Sequence, residues 1–415
     1  MPLLLMTRRR LQAACLLFLV ATLAWHGWDL SKEGLLDRTG RLKCPDFLQF
    51  YTYGTLLRTG QAASLYDPDA HARIARMYVD PRMTLGLLRP NYSPAVAWLV
   101  APLSNLPYLR ALTVWLLASS LLYGLGVALL LPVLPWLRRE TRTVWALAAA
   151  WPAFFMVLRY GQLSALSFAL VALAARLAMS GRDVATGVAV GLLVYKPNLL
   201  VAPALILAFT GQWRLLAGVV AGASAETLGA IATVGPGVFL EYVDVLAFVA
   251  QHPESVQLYP AESHSLGSAF RLWSAPPSLV MAATIAGLVG ATWAGVRVWR
   301  TMKDPRPRWA ALVLAALIAS PHLLTYDLLL LAVPLLLLAD WIGEETGRVP
   351  GGAWLTLLVL LYASAWPGTL LARIYAVQCS TIGMGMGLWL LAQASRSRRG
   401  LATGAFSSMS PIISS

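Results

Sequence analysis

The 415 residues are 58% hydrophobic and 12% charged, with a mean hydropathy of +0.65, whereas soluble domains run to about 45–50% apolar and about 25% charged residues. Such a chain cannot cover a water-facing surface, which excludes a soluble enzyme, a disordered chain and a secreted scaffold stapled by disulfides; Cys15, Cys44 and Cys379 are odd in number and far apart. The net charge of +13 suits cytoplasmic loops lying against anionic headgroups, and no Lys/Arg tract interleaved with aromatics marks a nucleic-acid footprint.

The expected elements are helices crossing a membrane. Arg8, Arg9 and Arg10 precede an apolar stretch, 11–28, without a closing cleavage pattern, so it reads as an uncleaved signal anchor with a cytoplasmic N-terminus. The polar stretch 29–91 follows as a long first extracytoplasmic loop. Residues 92–107 are apolar, but a crossing there would invert everything downstream; they read as re-entrant or interfacial. Further apolar segments lie at 108–135, 143–158, 162–179, 184–195, 197–210, 213–234, 278–299, 309–320, 323–339, 351–367 and 369–394. Several fall short of the roughly 20 residues of a full span. The short ones meet at polar or proline breaks: Arg159–Gln162, Lys196-Pro197 and Pro321-His322. Broken helices are tolerated at membrane depth where the freed backbone lines a cavity. The expectation is an all-α polytopic membrane protein of about 12 transmembrane helices. One domain spans 1–395, and a cytoplasmic, disordered tail follows at 396–415.

Basic residues assign the sides. Clusters at Arg138/Arg139/Arg142, Arg297–Arg308 and Arg396/Arg398/Arg399 mark the inside. The connection 235–266 carries Glu241, Asp244, Glu254 and Glu262 and no Lys or Arg, which puts it and the 29–91 loop outside. The same alternation places all three broken joints on the external side.

Ionisable groups within apolar segments are functional candidates, because a charge at mid-bilayer costs at least about 2.5–3.5 kcal/mol. In Cys44-Pro45-Asp46-Phe47-Leu-Gln-Phe50-Tyr51, Pro45 and Asp46 suit a helix N-terminus, and Phe47, Phe50 and Tyr51 share one face of a helix lying in the interface. Asp46 is either a general base held against the membrane or a helix N-terminal stabiliser. Lys196, displaced by Pro197, either snorkels to headgroups or binds an anion. Arg159 and Gln162, at another joint, are compatible with the same anion or with sugar hydroxyls. His322 and Tyr326 are four apart on one expected helical face with Asp327 beside them; the group either holds a phosphate or is a polar cluster fixing helix packing. No second His or Cys stands at ligand distance, so no metal is expected. Glu226, within a span, suits helix–helix hydrogen bonding.

In order, Asp46-Phe47 with Tyr51, Gly60, Leu65-Tyr66-Asp67, Asn91-Tyr92-Ser93-Pro94, Ala101-Pro102-Leu103, Tyr160-Gly161-Gln162, Tyr195-Lys196-Pro197 and Ser320-Pro321-His322 with Tyr326-Asp327 resemble glycosyltransferase family 87 of the GT-C superfamily, over about residues 40–340. The sequence departs at Ser93, where the family pattern more often has proline. The resemblance implies a GT-C-like bundle in a bacterial plasma membrane, with its active site on the extracytoplasmic face. It also implies inverting transfer of a sugar, mannose being expected, from a polyprenyl-phosphate donor to a lipid or glycan acceptor, with no cofactor. On that resemblance Asp46 maps onto the catalytic base, Lys196 and His322 onto donor-phosphate binding, and Tyr51, Arg159, Gln162, Tyr326 and Asp327 onto substrate binding. No Gly-rich nucleotide fingerprint is present, as a lipid-linked donor permits. The rival expectation is a secondary transporter or flippase-like envelope protein, since broken helices and intramembrane charges also mark transport pathways.

Overall fold

The computed structural model describes residues 7–79, 90–252, 255 and 259–402. Among them regular structure is helical, apart from two isolated antiparallel bridges, Leu36 with Leu42 and Ser263 with Leu324. The segment after α1 (Arg8–Leu30) contains α2 (Pro45–Arg58), α3 (Pro68–Arg76) and α4 (Pro94–Val100). The bundle continues through α5 (Tyr108–Leu130), α6 (Pro135–Arg138), α7 (Thr141–Ala149), α8 (Pro152–Tyr160), α9 (Ser164–Met179), α10 (Asp183–Gly191), α11 (Val201–Phe209) and α12 (Trp213–Val234). It closes with α13 (Pro236–Gln251), α14 (Leu266–Leu272), α15 (Pro277–Thr301), α16 (Pro305–Ala319), α17 (Ala332–Thr346), α18 (Gly352–Ala363), α19 (Trp366–Tyr375) and α20 (Cys379–Ala402).

Among the described residues five helices are long and apolar enough to cross a membrane, or up to seven if each of two bent pairs, α7–α8 and α18–α19, is one span. The expectation of about 12 counted every apolar segment. Many of those are shorter pieces: α9 has 16 residues, a rise of about 24 Å against a hydrocarbon core of about 30 Å. At the C-terminus α20 continues to Ala402, past the expected boundary at 395, and residues 403–415 lie outside the described residues.

Small residues bring helices together where apolar surface alone offers no preference between protein and lipid. Gly187 and Gly191 of α10 face Gly218 and Gly222 of α12, and a methyl at any of the four would strike the opposing backbone carbonyls of Leu215, Val219, Val184 or Val188.

The segment after α1 departs from the expectation of interfacial helices in one respect. Residues 47–56 of α2 are buried on every side, so this is a core helix and not one lying flat with an aromatic face in lipid. The cause is local packing. Phe47, Phe50 and Tyr51 interlock with Tyr108 and Trp115 of α5, and at Gly54 the backbone approaches α4 so closely that a Cβ would sit 2.8 Å from the Val100 carbonyl carbon. Residues 94–105 form α4 and a 3-10 turn, each too short to cross. Trp98 of α4 is exposed.

At one end Arg8 pairs with Glu140 at 2.6 Å, Arg306 bridges Asp304 and Asp340 at 2.6 Å each and also meets Glu344, and Asp340 accepts the Leu137 amide at 2.9 Å. The α7–α8 pair starts at this end and finishes at Tyr160; the span Thr325–Thr346 finishes here and starts beside Asp327. Residues 159–162 and 322–327 therefore lie together at the other end.

Candidate functional site

Asp46 is held by local stereochemistry. Cys44 adopts a left-handed conformation (φ 48°) just before Pro45 and Asp46 open α2, and its thiol donates to the Leu158 carbonyl at 3.2 Å. Gly161 ends α8 with φ +71°, and its carbonyl accepts from the Trp115 indole at 2.8 Å. A Cβ at Gly161 would lie 2.7 Å from Phe47 Cβ and 3.0 Å from Cys44 Cβ. The first turn of α2 is thus pressed onto the Tyr160-Gly161-Gln162 joint. Gly161→Ala should lose about 2–4 kcal/mol of stability, from the left-handed backbone and the overpacking, and lose activity with it; thermal unfolding in detergent beside a transfer assay checks this.

Gln162, freed by that turn, donates from Nε2 to Asp46 Oδ2 at 2.7 Å, while its Oε1 accepts from the Tyr92 hydroxyl and the Leu163 amide, both at 3.1 Å. Both faces of the amide are committed, which fixes its NH2 group on the carboxylate. Burial pushes the Asp46 carboxyl up to about 6, against the Gln162 hydrogen bond and the Lys196 charge and with the help of Glu262 and Asp327. The Tyr92 hydroxyl is also in hydrogen-bonding reach of Tyr326.

Lys196 stands between two 3-10 turns, Leu192–Tyr195 and Pro197–Leu199, where proline stops the helix. It is 7% exposed and paired to Asp327, itself 3% exposed, at 2.5 Å. Burial and pairing exclude snorkelling. Ser164 Oγ donates to Asp327 Oδ1 at 2.7 Å and accepts from Lys196 Nζ at 3.3 Å, and the Tyr326 ring lies 5.5 Å from Nζ. An ammonium has three protons, so one remains beyond those directed at Asp327 and Ser164. Asn198 donates to Ser320 Oγ at 2.8 Å and to the His322 carbonyl at 2.9 Å, tying the His322 loop to the same break.

That loop is not helical: α16 ends at Ala319 and the 3-10 segment Thr325–Leu331 begins after His322. The expected helical face shared by His322 and Tyr326 does not exist, because residues 320–324 are not helical and Leu324 bridges Ser263 instead; the two line one cavity. Burial pushes the His322 imidazole down to about 4, leaving it neutral at physiological pH. The cavity, about 890 Å³, has Tyr92, Lys196, Arg271, His322, Tyr326 and Asp327 at its polar end and Leu246, Val249, Val280 and Met281 along an apolar wall.

Gln162 and Tyr92 join Asp46 to the group of Lys196, His322, Tyr326 and Asp327. Two candidates lie elsewhere. Tyr51 donates to the Leu106 carbonyl at 2.8 Å and packs between Tyr78 and Tyr108, a place in the core and not in the cavity. Arg159 lines a separate cavity of about 440 Å³. The contributions of Tyr92, Ser164, Asn198 and Glu262 were not foreseen. Glu262 accepts from the Tyr160 hydroxyl at 2.9 Å and pairs with Arg373. Only Asn198, next to the Lys-Pro break, and Tyr92, within a recognisable motif, carried any sequence signal. Glu226 accepts from Ser93 Oγ at 2.7 Å, between α12 and α4. Among the described residues no three His, Cys, Asp or Glu side chains are grouped as a metal site would require.

Fold and site together define a helical membrane protein with a buried ionisable centre at one end of the bundle. The family model for Glycosyltransferase family 87 matches residues 91–325, more than half of the chain, and the chain belongs to that family: it is a membrane glycosyltransferase, acting on a sugar donor and an acceptor. The match includes Arg159, Gln162, Lys196 and His322; Asp46 and Tyr51 precede it, and Tyr326 and Asp327 follow it directly. No curated protein and no solved structure gives a significant match.

Proposed function

We propose that the protein is an inverting glycosyltransferase that takes a sugar, mannose in the first instance, from a polyprenyl-phosphate donor on the extracytoplasmic face of a bacterial plasma membrane and passes it to a lipid or glycan acceptor. The observation that carries this reading is the chain Asp46–Gln162–Tyr92, which links a carboxylate of raised basicity to the polar end of a large, half-apolar cavity containing Lys196. A lipid-linked donor fits such a cavity, with its isoprenoid chain along the apolar wall and its phosphate at Lys196 and His322.

In the reaction the acceptor hydroxyl oxygen bonds to the anomeric carbon as the carbon–oxygen bond to the phosphate breaks. The hydroxyl proton passes to Asp46, and polyprenyl phosphate departs with the electron pair. One carboxylate on the face opposite the leaving group suffices for inversion. Charge grows on the departing phosphate, so a fixed Lys196 stabilises the transition state more than the ground state. His322, neutral, contributes hydrogen bonding and no charge. The external assignment rests on the basic clusters, which gather at the opposite end of the bundle.

The test is transfer of label from polyprenyl-phosphate mannose to an extractable lipid or glycan in membranes containing the protein. Label transfer lost in Asp46→Asn at unchanged protein level is the expected result. Uptake of a sugar or lipid into proteoliposomes with no transfer would overturn it in favour of a transporter.

A further inference from the structure

Tyr92 occupies an unusual place for a residue that has to be held accurately. Residues 90–93, which lead into α4, form no helix, so no turn-to-turn hydrogen bonds fix the backbone there, and its polar groups are met by side chains instead. The Tyr92 amide donates to the Tyr53 hydroxyl at 3.3 Å, and the Tyr92 carbonyl accepts from the Tyr66 hydroxyl at 2.8 Å. The ring meets Phe50 edge-on, with centroids 4.9 Å apart. Asp46, Phe50 and Tyr53 are spaced i, i+4, i+7 and share one face of α2. The face that carries the base is therefore the face against which Tyr92 is set.

The following residue is anchored separately. Ser93 is 1% exposed; its Oγ accepts the Ala95 amide at 3.3 Å, capping α4, and gives its proton to Glu226 Oε1 at 2.7 Å. Glu226 is the one acidic residue of the apolar helix α12, where a carboxyl is kept at a cost. Tyr66 is held in its turn by stacking on Tyr242 of α13, with centroids 5.8 Å apart. Fixed at its amide, its carbonyl and its neighbour, Tyr92 presents its hydroxyl to Gln162 Oε1, and Gln162 Nε2 donates to Asp46.

We infer that Tyr66 and Glu226 are positioning residues for the transfer: they fix Tyr92 so that the Gln162 amide stays on the Asp46 carboxylate. This deepens the transferase reading and rests on it for the reaction, whereas the clamp itself is the same whichever sugar donor is used. Neither residue lines the cavity that contains Lys196, so their loss should act on turnover and not on donor binding. The Gln162 hydrogen bond favours the ionised carboxylate; an amide released by Tyr92 leaves Asp46 harder to ionise. Lys196, Glu262 and Asp327, the charged groups acting on Asp46, stay in place in every variant below.

The experiment compares the natural full-length protein with Tyr66→Phe, Glu226→Leu and Glu226→Gln, measuring kcat, KM and the pH dependence of kcat/KM for label transfer. Tyr66→Phe keeps the ring that stacks on Tyr242 and loses only the hydroxyl. It and Glu226→Leu should lower kcat about tenfold or more at nearly unchanged KM, and move the acid limb of kcat/KM above about pH 6. Glu226→Gln keeps an acceptor oxygen for Ser93 and should restore both. An unchanged kcat per folded molecule and an unmoved acid limb in Tyr66→Phe and Glu226→Leu, with only the unfolding temperature lowered, overturn the inference and leave the transferase reading intact. If the natural protein transfers no label from polyprenyl-phosphate mannose, that donor falls, and the clamp is decided by infrared titration of the Asp46 carboxyl, assigned by difference from Asp46→Asn. A midpoint raised in Tyr66→Phe and Glu226→Leu and restored in Glu226→Gln upholds it; a midpoint common to all four proteins overturns it.

Discussion

Replacing Asp46 with asparagine is expected to abolish sugar transfer while making the protein more heat-resistant at pH 8. General base catalysis is typically worth about 10²–10⁴-fold, enough to take turnover below detection. The stability change follows from the same burial that raises basicity. The Asp46 carboxyl titrates at about 6 in the folded protein against an ordinary 3.8, so the folded state holds its proton more tightly than the unfolded chain. The stability this contributes is fully present below about pH 3.8 and is lost as pH rises through 6, where an ionised carboxylate has to be kept in poorly solvated surroundings. About two pKa units correspond to about 3 kcal/mol, and with partial exposure of Asp46 a gain of about 1–3 kcal/mol in the variant is expected. Asparagine still offers Oδ1 to Gln162, so the geometry survives. Unfolding temperatures in detergent at pH 5 and pH 8 check this: the variant should exceed the natural protein at pH 8 and the gap should narrow at pH 5. A helix N-terminal stabiliser predicts the reverse, a loss at pH 8. In the natural protein, kcat/KM should rise with unit slope through about pH 6, as Asp46 ionises.

How much of this was legible in the sequence depends on whether a feature is local. Lys196-Pro197, Pro321-His322 and Tyr160-Gly161-Gln162 announce broken helices through proline, glycine and polarity within a few residues, and the structure breaks the chain there. Pairings across the bundle are not local. Lys196 and Asp327 are 131 positions apart, and Gln162 and Asp46 are 116 apart. In a membrane, apolar surface does not discriminate a helix neighbour from lipid, so the partners are set by small-residue contacts such as those of α10 and α12, which hydropathy does not weigh. The aromatic face expected for Phe47, Phe50 and Tyr51 is not distinct, because a three-four spacing of aromatics marks a face only when the other faces differ. Here Gln49, Thr52 and Thr55 are buried as well, and Thr52 and Thr55 are satisfied by the carbonyls of Gln49 and Tyr51 and by His71. Arg159 lies apart from that group through rotation: it sits in the last turn of α8 and lines the smaller cavity, whereas Gln162 follows the left-handed turn at Gly161 and reaches Asp46. The spacing of apolar runs shows where helices are, but only their observed lengths decide which can span.

The ion pair of Lys196 and Asp327 allows a sharper separation of chemistry from architecture. Lys196→Met should destabilise the protein by about 3–5 kcal/mol, because it leaves Asp327 buried and uncompensated; Ser164 and the Leu324 amide, which reach the same carboxylate, cannot neutralise it. Asp327→Leu alone should cost a similar amount, by stranding the ammonium. Removing both charges, in Lys196→Met with Asp327→Leu, should recover most of the stability, since a buried pair replaced by apolar groups of similar volume is often neutral. Three unfolding measurements and the natural protein close a double-mutant cycle, and a coupling of 2 kcal/mol or more is expected on these magnitudes. Transfer activity should not follow stability. If Lys196 meets the phosphate, the double variant folds and remains inactive, because no cation stands where the leaving group gains charge. If the pair serves only to lock the helices, restoring the fold restores turnover, and the donor phosphate must be held elsewhere. Lys196→Arg distinguishes the two further: it keeps the charge but spreads it over a planar fork, so it should retain the fold with a reduced kcat, whereas a purely structural pair would leave kcat unchanged.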